Sequence, residues 1–570
     1  MPILPHFALF VILQFWPMVL RLVSAVWTER QQQRYAHHWL HHLEASLDLQ
    51  PIEQGCAGFH ADSGRGKPVT HSIARLVRAL LLKHLLNLSL RQTEEQIDNH
   101  LLYKAFVGYG LFDSPPDHTT LCRFELWVLR HQPRLFFDTV LGQIEQLYPA
   151  ERQRLFMTDT FGVYARGART WTIDLLRDLC RHLLAELASW EPARHQAVLA
   201  QLDQAALFGR PTDKITAALT TAERAERLQS VVRAALDLHH LVWPDLADTP
   251  LPPEAESSLR LWLTAIAKVI DDETTLTPDP DRPGQPRVQE RPHGKKGSYR
   301  HACANDLEAT YRDHGKGAAE LQYNAGLLGT ERFIFETEVA TGATPDPLTL
   351  PPMLDQLYQQ HGFFPPKIVA DQIYGAGKHR AQVEQLSQGQ SQLIALVPGY
   401  EKRTDRFVPA DFTLADDGLS LTCPHNVTAT KIYDKPGADG YEFRFTAKMC
   451  QGCPFWITPE QHQQDPQQPH CRPPDGKPKA HRQVFISHYR PHILAALEYN
   501  KTDQFKQEMR RRPLVERLIF NLTHYFGARH ATSTGLDKVN FQVRMAAAAF
   551  NIRQLIRLQN RRSSTPAASG

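Results

Sequence analysis

A mixed α/β architecture is what this sequence predicts, with an all-helical N-terminal domain, a helical insertion and a small β-rich, cysteine-containing insertion. Three observations carry that expectation. Two short apolar runs of β character each hold one aspartate: Leu155-Phe156-Met157-Thr158-Asp159-Thr160-Phe161 and Lys367-Ile368-Val369-Ala370-Asp371. Helical periodicity fills residues 27–148 and again 170–271. Four of the eight cysteines gather between Cys423 and Cys471.

The chain opens on an apolar stretch, Phe7 to Val26, long enough to raise the question of a membrane span. Gln14, Pro17 and Arg21 interrupt it, and it lacks the basic start and small-residue cleavage site of a secretory signal. It reads as a buried helix or as an extension from an upstream start. Nothing later reads as a span, so a cytoplasmic protein with no membrane partner is expected. Residues 27–148 then form the helical domain, with apolar residues recurring every three or four positions from His71 to Leu88, Leu90 to Tyr103 and Thr120 to Leu147. Pro115-Pro116-Asp117 breaks the pattern, and Asp117 or Thr119 can cap the helix that follows. Such a domain suits DNA binding, or equally packing and dimerisation.

Residues 150–400 are expected to hold the first part of a catalytic core. The Asp159 strand comes first. A helical insertion at 170–271, rich in Leu, Ala and Arg, follows, then a Pro-rich polar linker or loop at 277–297. Arg312-Asp313-His314-Gly315-Lys316-Gly317 turns into a hairpin formed by Ala319 to Ala325 and Arg332 to Val339. Thr341 to Asp346 is a turn, Leu350 to His361 a helix, Asp371 ends a strand, and Ser391 to Val397 is another strand. Residues 401–485 form the β-rich insertion, and 486–560 return to the core as C-terminal helices.

At 570 residues several domains are required, since single cores stop growing near roughly 250–300 residues. Hydrophobic content of 42% with 22% charged residues is that of an ordinary soluble globular chain. The net charge of +3 says little, but its distribution says more. Lys501, Lys506, Arg510, Arg511, Arg512, Arg517 and Arg529 crowd one segment poor in acids, either a solvated helix face or a surface for a polyanion. Within that segment Glu516 lies on a helix opened by Arg510-Arg511-Arg512-Pro513. A carboxylate buried on a strand is costly unless a cation compensates it. Two strand-borne Asp and one helix-borne Glu in basic surroundings are what two-metal phosphodiester chemistry needs.

Cys56, Cys122, Cys180 and Cys303 are scattered, which suits reduced structural thiols rather than a disulfide scaffold. The other four are different. Cys450-Gln451-Gly452-Cys453 puts two thiols on a tight turn, the spacing tetrahedral zinc wants, and Cys423 and Cys471 can supply two further ligands, with His425 or His470 as substitutes. Reduced cysteines in a small β insert are the plainer alternative. A redox pair lacks its usual βαβ setting.

The same residues resemble the DDE transposases of bacterial insertion sequences. The resemblance lies in Thr158-Asp159-Thr160-Phe161, in Ala370-Asp371-Gln372-Ile373-Tyr374-Gly375 and in Arg512-Pro513-Leu514-Val515-Glu516. It continues in Gly535-Leu536-Asp537-Lys538-Val539, in Ala547-Ala548-Ala549-Phe550-Asn551-Ile552 and, upstream, in Asp117-His118-Thr119-Thr120-Leu121-Cys122-Arg123-Phe124. It implies a ribonuclease-H-like catalytic core in which Asp159 and Asp371 lie on neighbouring strands and Glu516 approaches from the side. It implies catalytic roles for Asp159, Asp371, Glu516 and Arg512, with the three acids holding two Mg²⁺ (or Mn²⁺). It implies cleavage at the ends of an element and transfer of the freed 3′-OH into target DNA. The partners it implies are double-stranded DNA, as terminal inverted repeats and target, and a second copy of the chain. Lys506, Arg510, Arg511, Arg517 and Arg529 are the expected DNA contacts of a bacterial, nucleoid-associated protein. Two positions depart from the pattern: Met509 where the family carries Tyr, and Thr523 where it carries Lys, with His524 or Arg517 as substitutes. A ribonuclease-H-like metal nuclease without strand transfer, and a non-catalytic DNA-binding derivative, are the alternatives.

Overall fold

The computed structural model describes residues 4–34, 38–61, 70–243, 252–312, 320–400, 406–457, 459–466, 469–471 and 481–564. Most of the turn expected at Arg312 to Gly317 lies outside them.

The N-terminal helices are α1 (Leu4–Arg34), α2 (Trp39–Ser46), α3 (Gln50–Gly55), α4 (Gly58–Ala61), α5 (Ile73–Leu85), α6 (Leu90–Asn99), α7 (Leu101–Val107), α8 (His118–His131) and α9 (Leu135–Leu147). Asp117 is the N-cap of α8, its side chain accepting from the Thr120 amide at 2.6 Å. The single helix expected from Thr120 to Leu147 is two, because Pro133 cannot continue an α-helix and the chain turns at Gln132-Pro133-Arg134. The apolar N-terminal stretch is helical, and the part of it whose side chains are described is not the buried helix expected. Along α1, Trp16, Met18, Leu22, Val23 and Val26 stand exposed. Apolar content alone could not say what, if anything, would cover that face. Among the described residues no helix is long and apolar enough to cross a membrane.

The central sheet is built from β1 (Leu155–Tyr164) and partners from far along the chain. After β1 the insertion supplies α10 (Thr172–Trp190), α11 (Pro192–Leu199), α12 (Gln204–Phe208), α13 (Thr221–Val242) and α14 (Pro253–Glu273). Then come β2 (Thr274–Pro278) and β3 (Pro286–Glu290), which pair as an antiparallel hairpin with Leu276 opposite Val288. This corrects the expectation of a linker or loop at 277–297. Two apolar residues in a Pro-rich stretch gave no visible period-2 pattern, yet Val288 reaches the insertion's own core. The sheet resumes with β4 (Thr310–Arg312), β5 (Glu320–Gly329), β6 (Ile334–Thr341), β7 (Lys367–Val369) and β8 (Gln392–Ile394). Its order is β4-β5-β1-β7-β8, with β6 paired to β5. β5 runs antiparallel to β1 and β6, whereas β1, β7 and β8 are parallel. The parallel connections pass through α15 (Leu350–His361) and α16 (Gly377–Leu386). Expected and observed α15 coincide, while the strand expected at Ser391 to Val397 is shorter.

The β-rich insertion holds two three-stranded sheets. One comprises β9 (Thr413–Leu414), β10 (Leu421–Thr422) and β11 (Thr428–Ala429). The other comprises β12 (Ile432–Lys435), β13 (Gly440–Thr446) and β14 (His481–Ser487). A short α17 (Pro459–Gln464) lies between β13 and β14. The chain closes with α18 (Arg490–Asn500), α19 (Asp503–Met509), α20 (Leu514–Tyr525) and α21 (Leu536–Ser564).

Apolar burial divides the molecule unevenly. One continuous core takes in α2, α5, α8, α9, the central sheet and α21, so the N-terminal helices share their interior with the sheet. The helical insertion and the β-rich insertion each have a core of their own. The closing helix α21 packs against β6, α9, α5 and α2. Asn551, fully buried, donates to the Ile334 carbonyl at 2.7 Å and accepts from its amide at 2.9 Å, tying the helix to the start of β6. Gly535 reaches the Tyr323 hydroxyl, and the Glu308 carboxylate accepts from the Leu536 amide at the start of α21.

Candidate active site

Three elements bring the predicted acids together beside β1 and β7, neighbouring strands in the interior of the sheet. Asp159 sits on β1, opposite Leu327 of β5. Asp371 lies just beyond β7, where its carboxylate accepts from the Gln372 amide at 2.7 Å and starts a short 3₁₀ turn. That turn must end in Gly375, because a Cβ there would overlap the Leu396 carbonyl oxygen. Glu516 is in the first turn of α20, four residues after Arg512.

The acids meet at a guanidinium. Arg512 Nη2 donates to Asp159 Oδ2 at 2.9 Å and stands 3.9 Å from Asp371 Oδ2, while Nη1 donates to Glu516 Oε1 at 2.8 Å. Asp371 and Glu516 are open to solvent, but the Asp159 side chain is only 17% exposed. Burial pushes the Asp159 carboxyl above its usual range. The Thr160 amide and Arg512 pull it back down, and the nearby charges of Asp371 and Asp346 add to the upward push. A buried carboxylate held this way, with two more acids at hand, is a donor set whose chemistry fits a hard divalent cation. As placed, the acids face Arg512 rather than one another. Among the described residues no three His, Cys, Asp or Glu side chains form a group able to hold a metal.

The structure adds site residues that sequence reasoning passed over. Asp346, in the segment read only as a turn, accepts from Asn324 Nδ2 at 2.8 Å and stands 3.3 Å from Arg312 Nη2. Arg312 also reaches Thr160 Oγ1 at 3.0 Å and Asn324 Oδ1 at 2.7 Å, bracing the strand on which Asp159 lies. Tyr374 is buried in the field of Asp346 and Asp159, and burial raises its phenol well above the ordinary value. The one signal available was Asp346 after a Pro in a Thr/Gly-rich turn, which is common to many loops.

The basic residues divide into two groups. Arg511 and Arg517 both reach the β5–β6 turn, at the Glu331 carboxylate (2.5 Å) and its carbonyl (2.7 Å). Arg529 braces β1 through the Gly162 carbonyl at 3.0 Å. Arg510 is exposed, and Lys506 is exposed beside Asp503. Thr523 folds its hydroxyl back onto the Ile519 carbonyl at 2.9 Å, and His524 stacks on Phe520. Neither of these two side chains is turned to the acids. Arg517 reaches Glu331 instead.

In the β-rich insertion the Asn426 amide closes a turn onto the Cys423 carbonyl at 2.9 Å. A second turn runs from Cys450 to Cys453, with Gly452 at φ 73°. Cys471 joins the same apolar cluster, with Cys423 and Cys450 packed against it. Burial pushes the Cys450 thiol up to about 11 and the Cys471 thiol up to about 12, and each also feels the charge of the other clustered cysteines. The four thiols therefore gather in one place, although as placed they do not close into a metal-binding group.

Two family models match the chain. One, described as Transposase domain (DUF772), covers residues 28–125. The other, described as Transposase DDE domain, covers residues 422–556 and so takes in the four clustered cysteines, Arg512 and Glu516. No curated protein and no solved structure matches the chain.

Proposed function

We propose a strand-cutting and strand-joining site at Asp159, Asp371 and Glu516 in a chain that is, by its two domain matches, a DDE transposase of insertion-sequence type. The observation that carries this reading is the meeting of all three acids at Arg512. Enzymes of this kind act on DNA and use divalent metal ions. Here Asp159, Asp371 and Glu516 would hold two Mg²⁺, which when bound activate the attacking oxygen and stabilise the leaving one. Asp159, the least exposed of the three, would be the carboxylate that most needs a cation beside it. Arg512 positions Glu516 along the helix face and is the nearest cation for a phosphate once the acids are otherwise neutralised.

A ribonuclease-H-like core is what the DDE domain match implies, and a mixed sheet with β1 between antiparallel β5 and parallel β7 supports that reading. Lys506, Arg510, Arg511, Arg517 and Arg529 follow the DNA backbone, so binding is salt-dependent and largely independent of sequence. Two element ends handled together call for a homodimer on DNA. Cys423, Cys450, Cys453 and Cys471 would hold one structural Zn²⁺, the Cys450–Cys453 turn having the spacing a tetrahedral ion wants and the flanking strands suiting a zinc ribbon.

Glu516→Gln tests the assignment. The side chain is 61% exposed, so the amide leaves the fold intact while removing the charge that holds a cation. Cleavage of DNA carrying the element's ends in Mg²⁺ is expected to vanish, while a gel shift in Ca²⁺ stays at the wild-type level. Wild-type cleavage by the variant sinks the catalytic assignment. Joint loss of cleavage and binding makes Glu516 a structural residue.

A further inference from the structure

Where the helical insertion meets the core, a cavity of about 710 Å³ opens between the first turn of α10, the end of β3 and Tyr311 of β4. Its wall is cationic. Arg169, Arg291, Lys296 and Arg300 line it against two carboxylates, Glu273 and Glu290. Glu273 is buried and already committed: it accepts from Lys296 at 2.6 Å, from Arg300 at 2.5 Å and from Thr172 Oγ1 at 3.1 Å. Glu290 is committed to the same Lys296.

Three positive groups remain. Arg300 is 7% exposed, with its guanidinium 4.1 Å from the centre of the Tyr311 ring, and its buried Nε has no hydrogen-bond partner. That Nε is itself closed to solvent, so Arg300 serves the cavity through the charge of its guanidinium rather than through that N–H. Arg169 is 5.4 Å from the centre of the same Tyr311 ring, and among the described residues it pairs with no carboxylate. The N-terminus of the 19-residue helix α10 is the third: Trp171 is its N-cap and offers no side-chain cap, so the first amides of the helix face the cavity with their positive dipole end.

We infer that this cavity is a second anion site, built to take a phosphate group of a nucleic-acid strand. Four cations face three carboxylates, since Asp271 pairs with Arg291 at 3.4 Å, and the surplus charge on Arg169 together with the uncapped helix end selects an oxyanion. The volume exceeds what one phosphate fills and leaves room for the sugar that carries it. Trp171, 49% exposed at the rim, carries the Arg224 guanidinium 4.5 Å from its ring centre, which adds a cation beside the backbone track. The strand order favours a strand of the same DNA that reaches the acids. Tyr311 lines the cavity, while the next residue, Arg312, reaches Thr160 beside Asp159, so one strand joins the two sites from its opposite faces. The insertion thereby gains a task, which is to hold DNA away from the point of cutting. The assignment rests on the transposase reading above.

The test uses the full-length protein and two probes, inorganic phosphate and a DNA duplex several helical turns long, in Ca²⁺. Arg169→Glu is the variant of choice, because Arg169 is exposed and its loss breaks no carboxylate pair. Arg169→Ala separates loss of a cation from reversal of charge. Duplex affinity is expected to fall roughly fivefold to tenfold in Arg169→Ala and further in Arg169→Glu. The slope of log affinity against log salt should drop by about one in Arg169→Ala. Inorganic phosphate should quench Trp171 fluorescence in the wild type, with a weaker effect in Arg169→Glu and none in Trp171→Phe. Unchanged duplex affinity and salt slope in both Arg169 variants overturn the proposal. Phosphate quenching of full wild-type strength in Arg169→Glu overturns it also. Phosphate binding that depends on Arg169 while duplex binding does not shows a small phosphorylated ligand, and overturns the assignment to DNA. A wild-type protein that binds no duplex at all overturns the transposase reading itself, and this one with it.

Discussion

Replacing Arg512 by Gln removes the guanidinium that all three acids share, and the structure sets the size of the effect. The contact with Asp159 is a charge-assisted bond of 2.9 Å to a side chain only 17% exposed, which contributes about 1.5–3 kcal/mol. Glu516 and Asp371 are 61% and 56% exposed, and their contacts contribute less than about 1 kcal/mol each. A divalent cation entering between the carboxylates has to displace these contacts first. In Arg512→Gln that competition is gone, so affinity for Mn²⁺ should rise by about 2 kcal/mol, roughly thirtyfold. Electron paramagnetic resonance of free Mn²⁺, titrated into the full-length protein, measures this directly, with Asp159→Asn as the reference of impaired binding. Metal affinity equal to or weaker than wild type in Arg512→Gln would show that the guanidinium and the cation do not compete, and the reading of the acid cluster would fall.

Two other expectations follow from groups away from the acids. His361, at the end of α15, is 3.1 Å from Glu145 and 3.7 Å from Asp138 of α9; burial lowers its pKa, but bonds to the two carboxylates raise it to about 9. A folded value above the unfolded one gives stability that is full below pH ~6.5 and is lost as pH rises through about 9, up to about 3 kcal/mol in all. The difference in urea midpoint between wild type and His361→Gln should therefore shrink across that interval, and a difference constant with pH counts against the ion-pair account. Cys450→Ser combined with Cys453→Ser should remove about one equivalent of zinc on elemental analysis and loosen the β-rich insertion to proteolysis; wild-type protein containing no zinc refutes the metal assignment.

Periodicity and local chemistry made much of the scaffold legible. The β1 run carried its own signature, α15 matched its expected span, and the Asp117 cap was readable from Pro115-Pro116-Asp117. Hidden features share one physical cause, which is that they depend on partners distant in sequence. Nothing local marks Leu276 and Val288 as cross-strand neighbours, or Arg312 as the brace of β1. Nor does a Pro-preceded Asp346 announce that it stands in the field of Asp159. The two aspartates stood out because a carboxylate in an apolar run is locally anomalous, and Arg512 and Glu516 through the motif they share, but nothing local said that one guanidinium would meet all three acids. The exposed face of α1 shows the limit from the other side. Apolar residues state what would favour burial, not that something covers them.

The shared core of α21 with the N-terminal helices sets the order in which the chain can mature as it leaves the ribosome. Leu76, Leu80, Phe137 and Val140 belong to the same interior as Phe550, Ile552 and Leu555, which are made hundreds of residues later. Until the last helix emerges, α5 and α9 lack their covering, and a nascent chain presents that apolar surface to whatever lies near. The helical insertion, with an interior of its own, is free to fold first. A message truncated anywhere before α21 would thus yield not a shorter working enzyme but an unfinished one, its N-terminal helices left open at the seam.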